Sequence, residues 1–190
     1  MRKLVKRLTI LSVFVVMMAF TAAPAHAELG ERFNSAVGGD LVLGGTAGGG
    51  GGAGAFGIEP LVQFFVIDNL SVWTRFLWER HFYAGAGVDI FPFMFGARYY
   101  LPIMDNFRAF AGGGLGFAVA KINLPSFFGF GGGSATETNF AIDFHGGVEY
   151  EVIDNLAITG TFDIFMPNIG GGGEYARIGI LGGVQYYFGF

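Results

Sequence analysis

The chain has 190 residues, enough for one domain, and no cysteine, which excludes a disulfide framework, an iron–sulfur cluster and a thiolate zinc site. Its formal charge is −4, and from residue 28 onward fifteen acids stand against seven bases, a net −8 that argues against nucleic acid as a partner. Hydrophobic residues make up 52% of the chain, with 34 glycines and 23 phenylalanines, yet after residue 27 no apolar run is long enough for a membrane helix.

Residues 1–27 read as a signal peptide. Arg2, Lys3, Lys6 and Arg7 give a basic start, Leu8 to Phe20 an apolar-plus-small run, and Ala25-His26-Ala27 a small-x-small cleavage site. The processed chain is then residues 28–190, beginning at Glu28, and with no cysteine after the site no lipoprotein anchor is expected.

Eight stretches of alternating character follow, over roughly 36–46, 56–66, 70–80, 89–103, 107–122, 138–152, 156–166 and 176–190. Each is long enough to cross a bilayer as a tilted strand, which takes about 9–11 residues. A short repeat punctuates them: Val66-Ile67-Asp68-Asn69-Leu70, Ile103-Met104-Asp105-Asn106-Phe107 and Val152-Ile153-Asp154-Asn155-Leu156. Asp-Asn is turn chemistry. The apolar faces on either side of each turn keep the same parity, so 66 should oppose 70, 103 oppose 107 and 152 oppose 156. Such three-residue loops want a left-handed third residue, here Asn69, Asn106 or Asn155. Between the tight turns lie looser connections: 47–55, 80–88, 123–137 and 167–175. Long and tight connections therefore alternate, giving an eight-stranded antiparallel up-and-down transmembrane β-barrel with tight turns and both termini on the periplasmic side.

Inward parity collects Asp40, Glu59, Arg75, Glu79, Arg98, Arg108, Asp143, His145, Glu149, Glu151, Asp163 and Arg177. Acid and base are mixed, so a lumen plugged by ion pairs is expected, with no continuous water path. The inferred register sets His145 opposite Asp163 and Arg75 diagonal to Glu59. Inward Gly112, Gly114, Gly116, Gly147, Gly179 and Gly183 leave room for Trp73, Tyr100 and Tyr187. Tyr99, Phe107, Tyr150, Tyr186, Phe188 and Phe190 fall outward near the periplasmic ends as one aromatic girdle, with Trp78, Phe91 and Phe117 beginning the other.

Chemistry-bearing motifs are few. Gly52-Ala53-Gly54-Ala55-Phe56-Gly57 matches the dinucleotide fingerprint by letter, but nothing around it reads as a buried parallel strand followed by a helix. It is expected to be a loop running into a strand, and no cofactor is expected. His145 reads as a buried structural group. His81, placed at the outer rim near Glu79, Arg80 and Asp89, has a hydrolase triad with Ser126 or Ser134 as its catalytic alternative, which only geometry decides. Two histidines on separate strands give no metal-ligand spacing. Phe127, Phe128 and Phe130 in the third outer loop read either as a membrane or partner contact or as a cover over the barrel mouth.

The signal peptide, the three Asp-Asn turns and the terminal strand Val184-Gln185-Tyr186-Tyr187-Phe188-Gly189-Phe190 carry a resemblance. The chain resembles the small outer-membrane β-barrel family of the OmpA-transmembrane-domain and OmpX type, over residues 28–190. That resemblance implies location in the cell outer membrane, contact with its lipid, and recognition of Tyr186, Phe188 and Phe190 by the barrel-assembly machinery. No periplasmic peptidoglycan-binding domain is expected after the barrel, so the resemblance does not imply a cell-wall tether. The expected role is that of a non-enzymatic monomer serving envelope integrity or loop-mediated adhesion or binding. The alternatives are a lipid A-modifying enzyme on the same scaffold, or a narrow conduit for small hydrophobic molecules.

Overall fold

A computed structural model describes residues 35–47, 54–67, 69–83, 86–123, 134–169 and 176–188. The signal segment, the third-loop phenylalanines, Ser126 and Phe190 lie outside the described residues. Nine strand segments form one antiparallel sheet: β1 (Ser35–Ala47), β2 (Gly54–Ile67), β3 (Leu70–Phe76), β4 (Trp78–Tyr83), β5 (Ala86–Met104), β6 (Phe107–Asn123), β7 (Ser134–Ile153), β8 (Leu156–Ile169) and β9 (Ala176–Phe188). Segments β3 and β4 both lie between β2 and β5, so the nine segments make a ring of eight. The ring closes where β1 pairs with β9, from Ser35↔Phe188 to Ala47↔Ala176.

The break between β3 and β4 has a local cause. Leu77 lies beside Pro92 of β5, where its amide donates to the proline carbonyl at 3.0 Å. On the other flank the β2 ladder passes from Leu61↔Arg75 to Ile58↔Trp78, and Pro60 lies in that gap. A proline returns no N–H, so two ladder bonds are missing side by side. The in–out alternation nonetheless runs through Leu77 unchanged.

The tight turns hold the inferred register, with one refinement. Phe65↔Ser71, Pro102↔Arg108 and Glu151↔Ala157 are the rungs that opposed 66/70, 103/107 and 152/156 dictate. The last rung is instead Ile67↔Leu70, Met104↔Phe107 and Ile153↔Leu156, with a bulge absorbing the extra residue. Among the described residues only Asn155 is a non-glycine with positive φ, at 75°. Asn106 does not take the left-handed form expected of it. Each turn asparagine also offers its carbonyl to the next span: Tyr100 N to Asn69 O, Glu151 N to Asn106 O and Tyr187 N to Asn155 O, all 2.8 Å. With φ at 75°, Asn155→Ala should destabilise the barrel by about 1 kcal/mol, because alanine lacks the short polar side chain that lets asparagine occupy the left-handed region. Asn155→Gly should be near neutral and Asn106→Ala milder, as read from denaturant midpoints in detergent.

One outer connection is tighter than composition suggested. Pairing runs through Arg80↔Asp89 and His81↔Val88 to Tyr83↔Ala86, across most of the stretch read as the 80–88 loop. Likewise Gly54–Gly57 belongs to β2, paired with β4 and leading into no helix, which removes the dinucleotide reading.

Polarity is inverted relative to a water-soluble fold. Ile180 is 69% exposed on the outer face, whereas Glu149, Asp163 and Arg177 are 0% exposed inside. Phe64, Phe93, Phe144 and Phe162 also face out. A surface of this kind suits hydrocarbon, and a closed ring leaves no unpaired edge in it. Tyr186 and Phe188 stack edge-on at 4.9 Å near the turn end, and Phe117 and Phe140 at 6.3 Å towards the other.

Candidate functional site in the barrel lumen

Every span sends polar side chains inward, and they meet in three tiers. Nearest the tight turns, Arg108 of β6 pairs with Glu149 of β7 (Nη2–Oε1 2.5 Å) and with Glu151 (3.3 Å). The Tyr187 hydroxyl donates to Glu149 at 2.6 Å. Gln63 donates to Gln185 at 3.0 Å and to the Tyr100 hydroxyl at 2.9 Å, joining β2, β5 and β9 across the lumen. Phe65, Phe110, Ala36 and Ala157 pack around this tier.

In the middle tier Arg75 bridges Glu59 at 2.9 Å and Asp143 at 2.6 Å. Arg98 donates from Nε to His145 Nε2 at 3.2 Å and lies 4.3 Å over the Phe110 ring. A guanidinium has only donors, so His145 Nε2 must accept. The ring proton then sits on Nδ1, which donates to Asp143 Oδ1 at 3.0 Å. Asp40 takes a hydrogen bond from Thr159 at 2.8 Å.

In the outer tier Arg177 lies between Asp163 (2.5 and 3.0 Å) and Glu79 (2.8 Å). His81 packs on Glu79. Around these charges sits an apolar filling of Leu61, Trp73, Ile90, Met94, Ala118, Ala141 and Phe165, with Val42, Leu77 and Leu181 beside it.

The inward residues read from the sequence thus lie in one connected interior. Two expectations change. His145 is opposite Asp163 in the ladder, but bonds Asp143 of its own strand, because Arg177 from the neighbouring strand occupies Asp163. His81 is not an open rim residue: it is fully buried against Glu79. Sequence reasoning did not assign Gln63, Gln185, Ser71 and Thr159 to the network. Their inward parity was the available signal. Among the described residues no cluster of acidic and histidine side chains has metal-site geometry.

The description "Outer membrane protein beta-barrel domain" matches residues 12–188. The chain belongs to this family. Among solved structures it resembles Neisserial surface protein A, with a TM-score of 0.69 and 18% identity over 81% of this chain and 97% of that one. The attachment invasion locus protein Ail of Yersinia pestis aligns with a TM-score of 0.60 and 13% identity, covering 82% and 99%. The outer membrane enzyme PagL aligns with a TM-score of 0.54 and 12% identity, covering 80% and 99%. No curated protein sequence matches. At these identities the likeness extends to the fold, a transmembrane barrel of the outer membrane, and not to an activity.

Proposed function

We propose that this protein is exported through a cleaved signal peptide, assembled by the barrel-assembly machinery, and serves the outer membrane as a closed, non-enzymatic monomer. Its role is envelope integrity or binding through its outer loops. The observation that carries this reading is the filled lumen: charged, amide and aromatic side chains from all eight spans meet across it and are buried. An eight-stranded barrel is about wide enough for side chains alone to fill. One neighbour is named for attachment and invasion and another as an enzyme, so the shared scaffold does not choose between roles.

Purified, refolded protein in planar bilayers is expected to give no large sustained conductance steps. Steady open-channel currents would overturn the closed-lumen reading. Lipid A from cells with and without the gene should give the same mass spectrum. The burial of His81 against Glu79 supports that expectation, since a substrate at the rim would not meet it. A gene-dependent change in acyl chains would replace the proposal with an enzymatic one.

A further inference from the structure

The outward face carries charge at one place among the described residues. Arg80 of β4, Asp89 of β5 and Lys121 of β6 lie side by side, Arg80↔Asp89 and Asp89↔Lys121 being direct cross-strand partners. All three point outward: their flanking residues Glu79, His81, Ile90 and Ala120 face in, and the side chains of Arg80 and Asp89 are 45% and 15% exposed. Of the seven bases after residue 27, four are arginines in the lumen and Arg32 lies outside the described residues, so Arg80 and Lys121 are the remaining two.

Their height on the barrel matters as much as their pairing. Arg80 is ten residues beyond Leu70 at the tight turn. A rise of about 3.3 Å per residue along a strand tilted ~40° puts it about 25 Å up, at the upper border of the apolar band. Trp78, Phe91, Phe93 and Phe117 face out below it. Gly87 leaves space above it: a Cβ there would stand 3.1 Å from Arg80 Nη2. The guanidinium thus lies back towards the outer end of the barrel, away from hydrocarbon. One long contact, Arg80 Nε to Asp89 Oδ1 at 3.8 Å, leaves most of its donors facing the membrane surface.

We infer that Arg80 and Lys121, which stand on either side of Asp89 in this row, form a docking site for the phosphate of an anionic lipid headgroup in the outer leaflet. The row is net positive on a chain that is otherwise strongly acidic, and its location offers it lipid headgroups rather than a soluble partner. The inference rests on the orientation in which the tight turns face the periplasm.

The test uses native mass spectrometry of the detergent-folded protein incubated with bisphosphorylated lipid A or with the same lipid stripped of phosphate. The wild-type protein should retain the phosphorylated lipid about thirty-fold better, the effect of two basic groups at a lipid surface. R80Q/K121Q should lose that preference while keeping its heat-dependent gel mobility, since both side chains are exposed. Molar salt should abolish the preference in the wild-type protein, which needs no variant. Folded wild-type protein that holds both lipids equally, a folded variant that keeps the preference, or displacement by an equal concentration of inorganic phosphate would overturn the site. A chain that stays soluble without detergent would overturn the barrel itself.

Discussion

Arg177→Ala is expected to destabilise the barrel by about 3–5 kcal/mol, the cost of leaving buried charge without its partner. Arg177 is fully buried and is shared by two carboxylates on different strands, Asp163 and Glu79, so one substitution takes the guanidinium from both and leaves Glu79 with His81 alone. Asp163 has little room to turn away. A Cβ at Gly179 would collide with Arg177 and Asp163, which shows how closely these groups fill the space between β8 and β9. Equilibrium unfolding in guanidinium, with the protein folded into detergent or vesicles, should show the midpoint falling sharply. Removing all the charges together, as E79Q/D163N/R177M, should recover much of the loss, because a neutral interior of similar volume is no worse than a satisfied ion pair. An R177A midpoint equal to wild type would mean that water reaches these carboxylates, and the filled-lumen description would fall with it.

How much of this was readable from the sequence depends on what the turns determine. Once Asp-Asn fixes a hairpin, period-2 alternation sets every rung beyond it, which is why Arg75 and Glu59 were legible as partners and meet at 2.9 Å. The same logic placed His145 opposite Asp163 correctly and still misassigned its hydrogen bond. Ladder position fixes where a Cβ stands. Which atoms bond depends on competitors arriving from other strands, and Arg177 arrives from β9. The backbone form of the turn asparagines was equally out of reach: the repeated motif gives the loop length, and the bulge and the carbonyl bond to the next strand recur at Asn106 and Asn155, yet Asn155 takes the left-handed form and Asn106 does not. The hairpin at Tyr83↔Ala86 was hidden because its strands leave the hydrocarbon, where alternation no longer has to be strict. Pro60 and Pro92 were visible as letters. Their joint effect on Leu77 required knowing that β2 and β5 flank the same residue.

Trp73→Ala should cost about 3–5 kcal/mol, the range for truncating a large aromatic in a packed interior. Trp73 is 3% exposed and sits among Leu61, Ile90, Met94 and Phe165, with the Arg75 guanidinium 5.0 Å from its ring and the His145 ring at 5.4 Å. It therefore fills space and also keeps the Arg75–Asp143 pair away from water. Its room is made by glycines: a Cβ built on Gly114 would stand 2.5 Å from Trp73 Cη2, and one on Gly96 2.5 Å from Cζ2. Gly114→Val should accordingly lose about 1–3 kcal/mol by overpacking. In the Trp73→Ala background the same valine should cost less, since the indole it strikes is gone. The relief should be incomplete, because the Phe95 carbonyl still stands 2.7 Å from that Cβ. A double-mutant cycle with detergent-folded protein measures the coupling directly. Strict additivity would mean that Trp73 and Gly114 do not share the space assigned to them. The alternating glycines of β6 would then need a reason other than the aromatic filling of the lumen.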